Sequence, residues 1–585
     1  MSGLPVYDGC MTPNRSIQQR TFTPEVAHAY DSALMGRIYA ARGISSPEQT
    51  DLSLQHLIPP DSLHGLGDAV ALILDAIDKQ MRIVIVGDFD CDGATGTAVA
   101  VRGLRMLGAR NVFFKVPHRV RHGYGLTPGL VEDLAELKPD LIITVDSGIA
   151  CNAGVEAAKA LGYRVLVTDH HLPGDILPSA DAILNPNQPG CPFASKALAG
   201  VGVIFYLLLA VRREMRNTAG GQADLSGLLD LVAIGTIADM VKLDANNRRL
   251  IRAGLARINA GRCQPGIAAL AAIGRLELGK IDALDVGFRI GPKINAAGRL
   301  EDMSLGIECL LADEPSQAMD MAQSLHAINL ERQHLQQDML DDAERVLGTL
   351  NFEAFTEQKC LVLHQQDWHP GIIGLVASRL KDRLHRPVLV FAPSEAGSME
   401  LRGSCRSITG FHMRDALALV DARYPGLIAR FGGHAMAAGL TLARKHLCDF
   451  TQAFQAVASE MLDSDLLQEV ILTDGPLAPE QLDYVTAEML VHAGPWGQGF
   501  PIPAFDNVFD VIGWQVLKDK HLKLQLRLPE GAETIQAIHF NGYSGLNPPA
   551  RVRAVYQLQT NDFGNKRKVQ CLIRHLESVY DTISV

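Results

Sequence analysis

The chain has 585 residues, 47% hydrophobic and 20% charged, a balance that excludes disordered, fibrous and collagen-like classes. That length exceeds what a single hydrophobic core sustains, so roughly three or four domains are expected. A net charge of −11 excludes a broad nucleic-acid-coating surface but not a local basic groove, because binding follows the field at the site.

Residues 1–55 read as an N-terminal segment. Its start, MSGLPVYDGCM, has neither a basic n-region nor an apolar h-region, so no export signal is predicted. Ten cysteines without a CxxC pair argue against a zinc ribbon and for reduced thiols in the cytoplasm. The longest apolar run, Val201 to Val211, is too short to span a bilayer, so no membrane partner is expected.

Residues 56–248 alternate short apolar runs with helical stretches, which predicts an α/β domain with a largely parallel sheet. RIVIVG (Arg82 to Gly87), DLIITV (Asp140 to Val145) and RVLVT (Arg164 to Thr168) are runs typical of strands buried on both faces. Residues 249–350 turn helical, and Ser324 to Leu350, free of Gly and Pro for over twenty residues, predicts a long connecting helix. A second α/β domain follows over 351–462, with strands KCLVLH and PVLVF. Residues 463–585 hold five alternating stretches separated by Gly, Pro and Asn turns, which predicts a β-barrel of OB-fold type. From Asp506 to Glu577 ten Lys/Arg stand against seven Asp/Glu, so this acidic chain ends in a mildly basic module.

The chemistry concentrates at strand ends. GDFDCDG places Asp88, Asp90 and Asp92 directly after the first apolar run. If that strand continued, the three carboxylates would share one face at ~6.6 Å intervals. At an effective dielectric near 20, neighbours about 6 Å apart repel by roughly 3 kcal/mol, so solvent, protons or a cation must offset the charge. The next strand ends in Asp146 and the third in Asp169-His170-His171. Carboxyl ends of parallel strands share one edge, where such folds bind ligands. Asp239, near the end of the apolar run LVAIGTIADMV, is a fourth contributor. Oxygen ligands with one or two histidines suit Mn²⁺ or Mg²⁺, and two such ions suit phosphoryl chemistry. GATGT lacks the lysine of a P-loop, and neither a G-x-G-x-x-G turn in the right place nor a G-x-S-x-G elbow occurs.

In this order, DFDCDG, VDSG, TDHH and IADM resemble the four motifs of the DHH phosphoesterase superfamily. Further on, GPKINAAGRL, WHPGIIG, RGSCRS and FGGHAMAAG resemble motifs of its RecJ family, bacterial 5′→3′ exonucleases specific for single-stranded DNA. Cys91, where many relatives have Ala, and Val86, where some DHH enzymes have a histidine, depart from the pattern. The resemblance implies two Mn²⁺ or Mg²⁺ ions held by Asp88, Asp90 and Asp92 in some combination, with Asp146 as bridge, His170 and Asp239. Asp90 is favoured first and Asp92 second, with Asp88 holding the loop or a water. It implies catalytic roles for Asp90, Asp146, His170 and His171, the last as a supporting group or a donor to the phosphate or leaving group. Arg119 resembles a phosphate-contacting arginine, with Arg121 open to the same role. Ser404, Arg406, Gly433 and His434 resemble a site for the DNA 5′ phosphate, and Asn295 and Arg299 border the DNA path. Trp514, Tyr556 and Phe563 are candidates for stacking bases on the barrel.

The function implied is hydrolysis of single-stranded DNA to mononucleotides in recombination and repair, by a cytoplasmic monomer working with a single-strand-binding protein and a RecQ-type helicase. A channel admitting one strand would exclude duplex. Two rivals are a phosphatase of small nucleotides, which has little need of the barrel, and a non-catalytic replication scaffold, which would lose metal ligands.

Overall fold

The computed structural model describes residues 15–118, 121–217, 220–300, 302–348, 350, 358–395, 397–561 and 567–579. The chain divides into two compact units. One comprises Phe22–Arg332 and Leu490–Ile502; the other comprises Met1–Thr21, Gln333–Met489 and Pro503–Val585. The first strand, β1 (Arg15–Gln19), belongs to the second unit, where it pairs in parallel with β12 (Glu469–Thr473).

The first unit is built on β2 (Ile83–Gly87), β3 (Val112–Lys115), β4 (Leu141–Val145), β5 (Arg164–Thr168) and β6 (Ala182–Leu184). All pairings are parallel, in the order β3-β2-β4-β5-β6. The three expected apolar runs are the central strands. Their lack of polar alternation has a visible cause: Ile83 and Ile85 pack into the core on one face, Val84 and Val86 into the core on the other. The first core receives the helices Cys91–Met106, Gly200–Glu214 and Leu229–Ala238, the second Pro128–Leu134 and Asn152–Ala160. The run Val201–Val211 lies in a buried helix, and no helix among the described residues is long and apolar enough to cross a membrane. Chain direction around the sheet reverses between β2 and β4, which makes the carboxyl ends of these two strands the topological switch point.

One helix, Pro315–Gly348, carries the chain from the first unit into the second. It starts nine residues before the expected Ser324, because Pro315 at a helix start forfeits only an N–H that has no intrahelical acceptor.

In the second unit, β7 (Leu361–His364), β8 (Val388–Pro393), β9 (Glu400–Arg406), β10 (Arg430–Gly433) and β11 (Ala437–Ala443) form a sheet in the order β10-β11-β9-β8-β7. Only β7 and β8 pair in parallel there. The five C-terminal stretches become β13 (Phe505–Leu517), β14 (His521–Arg527), β15 (Thr534–His539), β16 (Arg551–Asn561) and β17 (Lys568–Ser578), a closed barrel ordered β13-β14-β15-β17-β16. Of the stacking candidates, Trp514 is exposed. Tyr556 is not a groove residue: it is fully buried among Phe505 and Phe509, and its hydroxyl donates to Asn507 Oδ1 at 2.8 Å. Phe563 lies outside the described residues.

Candidate metal centre and phosphate site

Register sets the geometry of the centre. Gly87 is level with Val145, and Val145 with Thr168. The next residue on each of β2, β4 and β5 is therefore Asp88, Asp146 and Asp169, all buried.

The acids of GDFDCDG do not alternate along a continuing strand. β2 stops at Gly87, Asp90 is the N-cap of the helix Cys91–Met106, and Asp92 lies in its first turn. Asp90 Oδ1 accepts from Gly93 N at 3.0 Å. The cap signal was present, an aspartate just ahead of an Ala-rich stretch, and it outcompetes strand extension. Asp92 is fully buried and accepts from Gly200 N (2.7 Å) and Val201 N (3.0 Å). It thereby satisfies the first turn of the helix Gly200–Glu214, whose own N-cap, Ala199, has no side chain to do so.

The other side chains arrive by different routes. Asp146 has φ +61°, a left-handed conformation that aspartate tolerates better than most residues. A Cβ on Gly200 would fall 2.6 Å from Asp146 Cβ, so only glycine admits that helix here. Asp239 is the C-cap of the helix Leu229–Ala238, where a carboxylate meets the negative end of the helix dipole and gains from a cation.

Three groups place one ligand atom from each member within 4.8 Å of the others: Asp88, Asp90 and Asp146; Asp92, His170 and Asp239; Asp146, His170 and His171. All three aspartates of the first motif thus face the cluster, and Asp146 is shared. His170 Nε2 lies 3.0 Å from Asp146 Oδ1, 3.5 Å from Asp239 Oδ2 and 4.0 Å from Asp92 Oδ2. Yet Asp88 Oδ1, Asp146 Oδ1, Asp239 Oδ2 and His170 Nε2 are buried without a hydrogen-bond partner. Four such atoms converging on one volume are costly unless a cation occupies it. Hard carboxylate oxygens and one imidazole fit Mn²⁺ or Mg²⁺.

Electrostatics point the same way. Burial, then the charges of Asp92, Asp90, Asp239 and Asp88, push the Asp146 carboxyl well above the usual carboxylate range. Burial, then Asp239 and Asp90, do the same to Asp92. Burial and the Asp90 charge hold Asp88 and Asp239 each at about 7. Burial lowers His170 to about 4, keeping the imidazole neutral as a ligand must be. A carboxyl held high in the fold stabilises below its unfolded value near 4, and that stability is lost as pH rises through 7. Metal-free protein should therefore melt at lower temperature at pH 8 than at pH 5.5. Mn²⁺ should raise the melting temperature more at pH 8, a comparison differential scanning fluorimetry makes directly.

Asp169, first letter of the DHH motif, works at the backbone instead. Its Oδ1 accepts from His170 N (2.7 Å), His171 N (3.1 Å) and His171 Nδ1 (2.8 Å), and its Oδ2 from Ile149 N (2.9 Å). The His171 bond raises that imidazole, and these donors outweigh burial to keep Asp169 low. Asn185 and Asn187 hold the same turn by donating to the carbonyls of His171 and His170. The NPN tripeptide was the available signal for them.

Asn295 is placed at the metal loop itself: its Oδ1 accepts from Cys91 N at 2.7 Å. Gly298, one helical turn on, packs where any side chain would overlap the Phe89 carbonyl. The helix Gly291–Leu300 carries Arg299, whose side chain lies outside the described residues, as does Arg119. Arg121 is exposed and pairs with Asp133 at 3.3 Å.

In the second unit, Arg406 and Ser404 sit on β9, and Arg406 donates to Ser404 Oγ (3.1 Å), Ser378 Oγ (3.1 Å) and the Cys405 carbonyl (2.8 Å). A Cβ on Gly374 would lie 3.2 Å from Arg406 Nη2 and 3.3 Å from Ser404 Oγ, so the first turn of the helix Ile373–Leu384 abuts the guanidinium. On β11, Ala437 pairs with Arg406; across the turn, His434 N donates to the Ala437 carbonyl at 2.8 Å. Gly433 (φ +139°) has no room for a side chain against Ala437 and Ala438. A guanidinium, hydroxyls and a helix N-terminus together form anion-binding chemistry.

Comparison with known proteins accounts for the same segments. Residues 82–236 match the DHH family, N-terminal domain, residues 357–460 the DHHA1 domain and residues 473–575 the RecJ OB domain. The chain is 46% identical over 553 residues, 93% of its length and 96% of the relative's, to the single-stranded-DNA-specific exonuclease RecJ of Dickeya dadantii. Among solved structures it is similar to RecJ of Thermus thermophilus in complex with Mn²⁺, at TM-score 0.78 and 30% identity, covering 97% of this chain and 80% of that one. The Mg²⁺ complex of that protein matches at TM-score 0.73 and 28% identity, covering 97% and 79%. With the ordered motifs, the carboxylate cluster and the OB-ordered barrel all accounted for by one set of relatives, the chain belongs to the RecJ family of the DHH superfamily.

Proposed function

We infer that the chain is a metal-dependent exonuclease that degrades single-stranded DNA from its 5′ end to mononucleotides. The observation that carries this is the cluster of five carboxylates and His170 with four buried, unpartnered ligand atoms. When bound, divalent ions supply Lewis acidity toward the phosphodiester and lower the pKa of the attacking water. The chain's own residues do the rest. Asp88, Asp90 and Asp146 form one wall of the cage, and Asp92, His170 and Asp239 the other. Asp169 orients His171, which stands at the exposed edge with a raised pKa, suited to donating a hydrogen bond to a phosphate or leaving oxygen.

End selection is assigned to the second unit. Arg406, Ser404, Gly433 and His434 bind the 5′ phosphate, with Arg119, Asn295 and Arg299 along the strand's path. The segments 56–248 and 351–462 are the catalytic and end-binding domains of this reading, and 463–585 the single-strand-binding module, with Trp514 among its exposed aromatics. By family resemblance the enzyme serves recombination and repair in the cytoplasm, as a monomer, beside a single-strand-binding protein and a RecQ-type helicase.

The experiment follows label release with Mn²⁺ from strands labelled at either terminus and carrying a 5′ phosphate or a 5′ hydroxyl. Label from the 5′ end should appear first. Arg406→Gln should lower kcat/KM on 5′-phosphorylated strands by about tenfold or more, the scale of a lost charge-assisted fork, and change 5′-hydroxyl strands little. Equal losses on both, or release from the 3′ end first, would refute the assignment.

A further inference from the structure

The first unit holds a cavity of about 330 Å³ that contains none of the metal-cluster residues and that no step of the reaction uses. Tyr39, Thr50, Leu52, Ser53 and Arg252 line it, closed off by the turn His492–Gly494. That volume exceeds what a bare anion fills and lies at the small end of the range for organic ligands.

Unneutralised positive charge marks the cavity. Arg248, Arg249 and Arg252 share the helix Ala245–Asn259, and Arg248 and Arg252, four residues apart, lie on one face of it. Among the described residues none of the three pairs with a carboxylate; each donates to a carbonyl instead. Arg248 Nη2 donates to Gln49 at 3.3 Å, Arg249 Nε to Asp51 at 3.2 Å and Arg252 Nη1 to His492 at 3.2 Å. Arg248 is 1% exposed, stands 4.1 Å from the Phe500 ring centre, and its Nε has no hydrogen-bond partner. Burial draws that guanidinium down to about 10. The charges meet at Tyr39: burial raises its hydroxyl, and Arg248, Arg252 and Arg42 pull it back. Asp51 also lines the cavity, but Ser53 N at 2.8 Å and His56 Nε2 at 3.1 Å engage its carboxylate. A buried cation without a counter-ion is costly, and an anion in the cavity offsets that cost.

We propose that this cavity binds a nucleoside 5′-monophosphate, a choice of ligand that rests on the nuclease reading above, whose product it is. Arg252 supplies the exposed guanidinium for the phosphate, and the Ser53 hydroxyl a further donor. Arg248 and Arg42 strengthen the field from behind Tyr39, whose ring, with Leu52, offers the nucleoside an apolar wall. A phosphomonoester carries between one and two negative charges near neutral pH and a phosphodiester only one, so the field favours a released nucleotide over the interior of a strand.

The test is isothermal titration calorimetry on the full chain in chelator, with Arg406→Gln present throughout so that the end-binding site is silent. Thymidine 5′-monophosphate should bind, thymidine should not, and inorganic phosphate and a short 5′-phosphorylated strand should each bind more weakly. Arg252→Gln, at an exposed position, should weaken monophosphate binding by about tenfold, the scale of a lost charge-assisted contact, and Arg252→Lys should retain part of it. In the chain with Arg406 intact, Arg252→Gln should leave Mn²⁺-dependent label release unchanged. Monophosphate that fails to bind, or binds equally well to Arg252→Gln, would overturn the site. Inorganic phosphate or the strand binding as tightly as the monophosphate would overturn the choice of ligand. A chain that binds the monophosphate through Arg252 but releases no label would uphold the site and remove the nuclease reading instead.

Discussion

Asp146→Asn should abolish nuclease activity and, without metal, make the protein more stable at pH 8. Asparagine is the informative replacement because it tolerates the left-handed backbone that Asp146 adopts, whereas alanine would add strain. The lost carboxylate belongs to two of the three ligand groups, the one with Asp88 and Asp90 and the one with His170 and His171. A rate loss on the order of a thousandfold or more is expected, the scale of removing a principal electrostatic element from an active site. The stability gain has a separate origin. Burial and four neighbouring carboxylates oppose ionisation of Asp146, so at pH 8, well above the unfolded value, the metal-free fold bears a cost that the amide lacks. Melting curves in chelator at pH 8 should place the variant above the wild type, and Mn²⁺ should reverse that order. A variant less stable than wild type in chelator would show that the cluster is not held against repulsion.

Asp92→Ala should behave differently, losing activity and stability together. Its carboxylate satisfies the N–H groups of Gly200 and Val201 at a buried helix start. Removing it leaves two buried donors unpaired, at a cost of roughly 2–5 kcal/mol. The comparison belongs at pH 5.5 in chelator, where Asp88 and Asp239, held near 7, are largely protonated and charge relief is small. There Asp92→Ala should melt well below Asp146→Asn, which removes a carboxyl held above its usual range and should melt no lower than the wild type. If both variants melt alike, the capping role of Asp92 is wrong.

Legibility from sequence followed the range of the interactions. The runs IVIVG, LIITV and RVLVT announce buried parallel strands because both their faces pack, and parallel strands deliver their acids to one edge. Asp88, Asp146 and His170 could be gathered from that rule alone, as could the five barrel strands from their alternation. Read as a strand continuation, Asp90 and Asp92 were misplaced, since an N-cap and a strand end look alike until the following helix is weighed. Asp92 capping a helix 108 residues away, and Asn295 accepting from Cys91 across 204 residues, depend on tertiary packing with no local signature. Tyr556 alternates correctly for a strand, but alternation does not say which face is the barrel interior.

The most direct test of the account is nucleotide release by metal-free protein, with and without added Mn²⁺, from end-labelled single-stranded DNA and from the same sequence as a blunt duplex. The account predicts no release in chelator, restored release from the single strand with Mn²⁺ or Mg²⁺, and little from the duplex. A protein inert with both ions, or one that degrades the duplex as fast as the single strand, would contradict it.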